Sequence, residues 1–130
     1  MQNNLVEIAR GWLGVPFRHQ GRNRLGVDCG GLLICVGEEA GMEIIRPGAY
    51  SMSPDPKLIE EALLIHCNKI PNSDRQPGDV LWFSFAGEPR HVGLCSDIGV
   101  IHAWAKPNKV VEHRLDDIWV NRLVGTYRVK

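Results

Sequence analysis

The stretch Pro77-Gly78-Asp79 divides the chain into halves of different texture, and no other feature constrains the fold as much. Before it, apolar residues recur at the 3.6-residue spacing of helices; after it come short runs of the strand type, separated by turn residues. Leu5, Ile8, Ala9, Trp12 and Leu13 predict a short amphipathic helix, with Asn4 as cap, Glu7 three residues on, and Gly14 and Pro16 ending it. Leu32, Leu33, Val36 and Ala40 predict a second helix from Cys29 to Ala40, closed by Gly41. Asp55-Pro56 reads as an N-cap followed by proline at N1, opening a third helix through Leu58, Ile59, Ala62 and Leu63. The second half offers runs at Val80–Phe85, His91–Cys95, Val100–Trp104, Val110–His113 and Leu123–Val129. Helices first and strands after predict an α+β domain, its helices packed on one face of an antiparallel sheet of about five strands.

The 130 residues are the size of one domain, 1–130, able to bury a core without disulfides. Fifteen basic and fifteen acidic side chains cancel, which argues against a nucleic-acid partner or a membrane-surface patch. No apolar run approaches the length of a membrane span, so membrane insertion is not expected. Met1 to Glu7 has neither a basic segment nor an apolar stretch of the secretory kind, so the expected site of synthesis and residence is the cytoplasm. Cys29, Cys35, Cys67 and Cys95 form no C-x-x-C pair, and reduced thiols are expected.

The octapeptide Gly26-Val27-Asp28-Cys29-Gly30-Gly31-Leu32-Leu33 sits where a polar, glycine-rich loop (15–28) becomes a helix. A thiol in the first helical turn meets the helix dipole and free N–H groups, which favour a thiolate and make Cys29 a candidate nucleophile. A small buried hydrophobe is the competing reading of the same residue. The glycines 30 and 31 suggest close approach of another backbone, here the sheet that carries His91.

His91 and His102 lie on consecutive predicted strands joined through Ser96-Asp97-Ile98-Gly99. With a loop of even length, opposed residue numbers add up to an odd value, as those of His91 and His102 do, so the two rings share a face, opposite or diagonal. Gly93 leaves room between them. A thiol with two adjacent imidazoles supplies nucleophile, base and orienting group. His19, His66 and His113 are read as surface or satisfied core residues.

Taken together, Leu13-Gly14-Val15-Pro16-Phe17 with Gly21, Asp28-Cys29-Gly30-Gly31-Leu32, Pro77-Gly78-Asp79-Val80, His91-Val92-Gly93-Leu94 and Ile101-His102-Ala103 resemble, in order and spacing, the NlpC/P60 cysteine peptidases. The resemblance implies a papain-like α+β fold and a Cys-His-His triad at Cys29, His91 and His102. It also implies hydrolysis of amide bonds in peptidoglycan stem peptides, with no metal or organic cofactor. Substrate contacts fall on Phe17, Arg18, Asp28 and Gly30, with Arg22 and Arg24 as further candidates for holding a peptide carboxylate. Many members carry tyrosine in place of Phe17 and serine in place of Gly30. The DCGG form resembles the stand-alone members encoded with phage or gene-transfer-agent tail proteins, which implies phage tail proteins as partners and a place in a virion tail. Three other readings stand beside this one: a catalytically silent structural module of a tail tip, a zinc site made of Cys29, His91 and His102, and an acyltransferase or thioesterase with an apolar tunnel.

Overall fold

The structure, a computed structural model, describes residues 2–49, 55–85 and 87–130. Helix α1 (Gln2–Arg10) starts upstream of Asn4, so the expected capping pair Asn4/Glu7 lies inside it. Its buried face is Leu5, Val6 and Ala9, and Trp12 is buried just beyond its end; Leu13, expected on that face, is exposed. The 15–28 segment is more ordered than a loop, because β1 (Arg22–Asn23) and β2 (Gly26–Val27) form a two-residue hairpin inside it. Helix α2 (Cys29–Glu39) and helix α3 (Pro56–His66) fall where periodicity predicts them. Asp55 caps α3 by accepting from the Lys57 N–H at 2.9 Å, and Gly41 follows α2 at φ +88°, a conformation that costs glycine little.

A strand that periodicity does not predict follows at once, β3 (Cys67–Ile70). Then come β4 (Val80–Phe85), β5 (Glu88–Cys95), β6 (Val100–Trp104), β7 (Lys109–His113), the short helix α4 (Asp117–Arg122) and β8 (Leu123–Val129). The main sheet has six strands in the order β3-β8-β4-β5-β6-β7, every neighbouring pair antiparallel. It exceeds the five strands expected because β3 joins the edge beyond β8. The sequence Cys67-Asn68-Lys69-Ile70 has little strand texture of its own, and pairing with β8 from Cys67↔Val129 to Ile70↔Thr126 is what extends it.

The sheet buries both faces. On one, Leu5, Val6 and Ala9 of α1 and Leu32, Cys35 and Val36 of α2 pack on Leu94, Ile101, Ala103 and Val110. Leu63 of α3 continues that layer over Val80, Trp82, Val92 and Tyr127. On the other, Leu81, Phe83, Cys95 and Val100 are covered by Trp119 of α4. The Pro77-Gly78-Asp79 junction is built rather than merely turned. Gly78 takes φ +96°, and its N–H donates to Cys95 O at 2.8 Å. The buried Asp79 carboxylate accepts from Arg128 Nε at 3.0 Å and Nη2 at 2.9 Å, fixing the start of β4 to the end of β8.

Candidate active site

Asp28 opens α2. Its Oδ1 accepts from the Gly31 N–H at 2.7 Å, as a helix cap should, and its Oδ2 accepts from the Gln20 N–H at 2.8 Å. The carboxylate is buried, so its role in the fold is to start the helix and tether the preceding loop to it. The two glycines after the cysteine divide their work differently from the expectation. A Cβ on Gly31 would stand 2.1 Å from Gly21 O, so it is the 15–28 loop, not the sheet, that needs its bare backbone. A Cβ on Gly30 would find its nearest neighbour, Asp28 Oδ1, at 3.9 Å.

Cys29 lines a cleft of about 780 Å³ together with Phe17, Asp28, Gly30, His91 and Trp104. Most of the remaining wall is apolar and comes from α2, α3 and residues 42–49. Arg18, expected at the substrate, is not among the lining residues; its stem lies against Gly26, where a Cβ would meet Arg18 Cβ at 2.5 Å. Arg22 and Arg24 are likewise committed to the fold. Arg22 donates to Pro47 O at 3.0 Å, whereas Arg24 donates to Gly11 O at 2.6 Å and lies 3.8 Å over the Trp12 ring.

Burial pushes the Cys29 thiol up to about 11, and the Asp28 carboxylate adds to the rise. The Val92, Gly30 and Cys29 N–H groups oppose it by hydrogen bonding to the sulfur. This reverses the thiolate expected from the helix start: a helix dipole is worth about 0.3–1 kcal/mol at the surface and up to about 2 in partly buried geometries. Desolvation of the sulfur is the larger effect here. At rest Cys29 is a neutral thiol beside the β5 backbone, one residue past His91.

His91 is 8 % exposed and His102 fully buried. The pairs Leu94↔Ile101 and Cys95↔Val100 confirm the even-length turn, which sets the two histidines diagonally across β5 and β6. His91 Nε2 lies 2.6 Å from His102 Nδ1. Gly93 makes this approach possible, since a Cβ there would stand 3.1 Å from His102 Cβ and 2.7 Å from Val100 Cγ2. Burial lowers His91 to about 3, aided by the Arg122 guanidinium, and lowers His102 to about 2; a proton on any one of the neighbouring His91, His102 and His113 imidazoles also disfavours a proton on the others. Both rings rest neutral.

The array does not stop at two rings. His102 Nε2 lies 2.8 Å from His113 Nε2, and His113 Nδ1 lies 2.8 Å from Arg114 O. His113, read from sequence as a surface or core residue, is therefore the third imidazole of a chain. The signal that could have found it is the same parity rule, since His102 and His113 sit diagonally on β6 and β7, whose pairs include His102↔Val111 and Val100↔His113. Trp119 braces the rings: its indole meets His102 edge-on at 5.0 Å and lies 4.9 Å from His113. Trp104 stacks on His102 at 5.7 Å and 18°. His66 keeps a structural role, accepting from Ile45 N–H at 3.1 Å.

The zinc reading of Cys29, His91 and His102 finds no support in this geometry. His91 and His102 spend their facing nitrogens on each other, and among the described residues no group of three or more His, Cys, Asp or Glu side chains could hold a metal ion.

Comparison with known families places residues 14–128 within the description "NlpC/P60 family". The chain belongs to the NlpC/P60 family. Solved NlpC/P60 structures share its fold. The NlpC/p60 domain of the peptidoglycan hydrolase SagA is 21 % identical, with a TM-score of 0.74 over 99 % of each chain. An NlpC/P60 family protein from Bacillus cereus is 20 % identical with a TM-score of 0.76, over 99 % of this chain and 40 % of that one. The peptidoglycan hydrolase RipB from Mycobacterium tuberculosis is 18 % identical with a TM-score of 0.71, over 99 % of this chain and 65 % of that one. Comparison with curated proteins returned no match.

Proposed function

We propose that this NlpC/P60 domain is a cysteine peptidase that hydrolyses amide bonds in peptidoglycan stem peptides, with Cys29 as nucleophile, His91 as general base and His102 as the group that orients it. The observation that carries the reading is that His91, held at 2.6 Å by the buried His102, lines the same cleft as Cys29. Membership of the family and the names of SagA and RipB as peptidoglycan hydrolases support the substrate class.

With a thiol at about 11 and His91 at about 3, the resting pair is thiol and imidazole rather than thiolate and imidazolium. His91 then removes the S–H proton as sulfur attacks the amide carbonyl, and returns it to the leaving amine. The products are a Cys29 thioester and a free amine. Water, deprotonated by His91, cleaves the thioester to a carboxylic acid and regenerates the thiol. The backbone N–H groups around the sulfur, including that of Cys29, are suited to the tetrahedral oxyanion. Phe17 and Gly30 line the cleft as candidate substrate contacts, and Gly30 leaves space beside the scissile group. The phage-tail setting draws no support from the fold or from the structures compared, so the proposal is confined to the reaction.

Purified muropeptides incubated with wild type and Cys29→Ala, then resolved by mass spectrometry, test this. The expected result is new amine and carboxyl ends with wild type alone. Intact muropeptides with both proteins would refute the peptidase. The apolar cleft wall favours one rival, a thioesterase using the same Cys29 and His91. Turnover of medium-chain acyl thioesters, without any cut in muropeptides, would establish that rival instead.

A further inference from the structure

We propose that His113 is a positioning residue that fixes which nitrogen of His91 carries the proton. The inference rests on the peptidase reading only for its effect on turnover. A backbone carbonyl can only accept, so the 2.8 Å contact with Arg114 O makes His113 Nδ1 an N–H donor. In a neutral ring the other nitrogen, Nε2, is then an acceptor. It faces His102 Nε2 at 2.8 Å, which must therefore be the donor of that bond. His102 Nδ1 becomes an acceptor in turn, and the bond of 2.6 Å requires a proton on His91 Nε2. The remaining nitrogen of His91, Nδ1, is left with its lone pair, the state a base needs.

The polarity of three rings is thus set by one main-chain oxygen at the far end. Without an acceptor at 113, the chain loses its direction. With a donor-only group there, every bond reverses: His102 Nε2 accepts, its Nδ1–H donates to His91 Nε2, and the proton of His91 moves to Nδ1, where it blocks removal of the thiol proton. The edge-on contacts of Trp119 with His102 and its proximity to His113 hold the rings in the planes the chain requires. Gly99 belongs to the same support, because a Cβ there would stand 2.2 Å from His113 O.

The test uses the full chain carrying ¹⁵N-labelled histidine, with ring nitrogen shifts read by NMR and kcat/KM read on muropeptides. Wild type is expected to show His91 protonated at Nε2 alone. His113→Glu, which only accepts, should keep that tautomer and most of the activity. His113→Leu should give mixed tautomers and a loss of kcat/KM on the order of 10²-fold carried by kcat. His113→Lys, which only donates, should show His91 protonated at Nδ1 and no turnover. A wild-type His91 protonated at Nδ1, or Leu and Lys variants that keep the wild-type tautomer, would overturn the proposal. The ring shifts decide this even if no muropeptide is cut, so failure of the tautomer relay and failure of the peptidase reading are separable.

Discussion

Replacing His91 with alanine is expected to lower kcat/KM on a stem peptide by about 10³-fold or more, whereas His102→Asn should retain measurable turnover. The resting thiol is neutral, so attack needs a base at the moment the carbon–sulfur bond forms, and general-base catalysis is worth roughly 10²- to 10⁴-fold. With the proposed tautomers His102 accepts from the His91 Nε2–H across 2.6 Å, and the amide oxygen of asparagine occupies nearly the position of Nδ1. Steady-state kinetics on both variants checks this. Equal loss in the two, with unchanged unfolding midpoints, would mean that His102 does more than orient.

The second large effect concerns stability in acid. Unfolded histidines take up protons near 6.5, but the folded protein holds His91 neutral down to about 3 and His102 down to about 2. Below 6.5 the unfolded chain binds protons that the folded chain refuses, so stability falls as pH falls; above 6.5 the contribution is complete. At 1.36 kcal/mol per pH unit, each buried imidazole removes roughly 2 kcal/mol between about pH 6.5 and pH 5. Urea unfolding across that range should show a steep loss in wild type and a shallower one in His91→Gln. A wild type as stable at about pH 5 as at about pH 7.5 would contradict the buried neutral pair.

Much of this was legible in the residues because the signals are local. Strand edges at Val80, Phe85, Val100, Trp104, Leu123 and Val129, the cap at Asp55 and the pairing of His91 with His102 all follow from short-range periodicity and turn length. What escaped depends on partners far away in sequence. Strand β3 exists because β8 offers it an edge, and α4 is too short for a periodic signal. Arg18, Arg22 and Arg24 look alike as loop cations, yet Trp12, Gly11 O and Pro47 O claim two of them for the fold. The thiolate expected at Cys29 failed for a similar reason. The helix start is visible in sequence, but the desolvation that outweighs its dipole is a property of the packed cleft.

The most direct measurement of the central claim is the rate at which uncharged iodoacetamide alkylates each cysteine as a function of pH, resolved by peptide mass spectrometry. Cys35, Cys67 and Cys95 are buried, while Cys29 opens on the cleft. The account predicts that Cys29 reacts first and that its rate is still rising above about pH 9, as a neutral thiol requires. A rate already level at about pH 7, or labelling of Cys35, Cys67 or Cys95 ahead of Cys29, would contradict it.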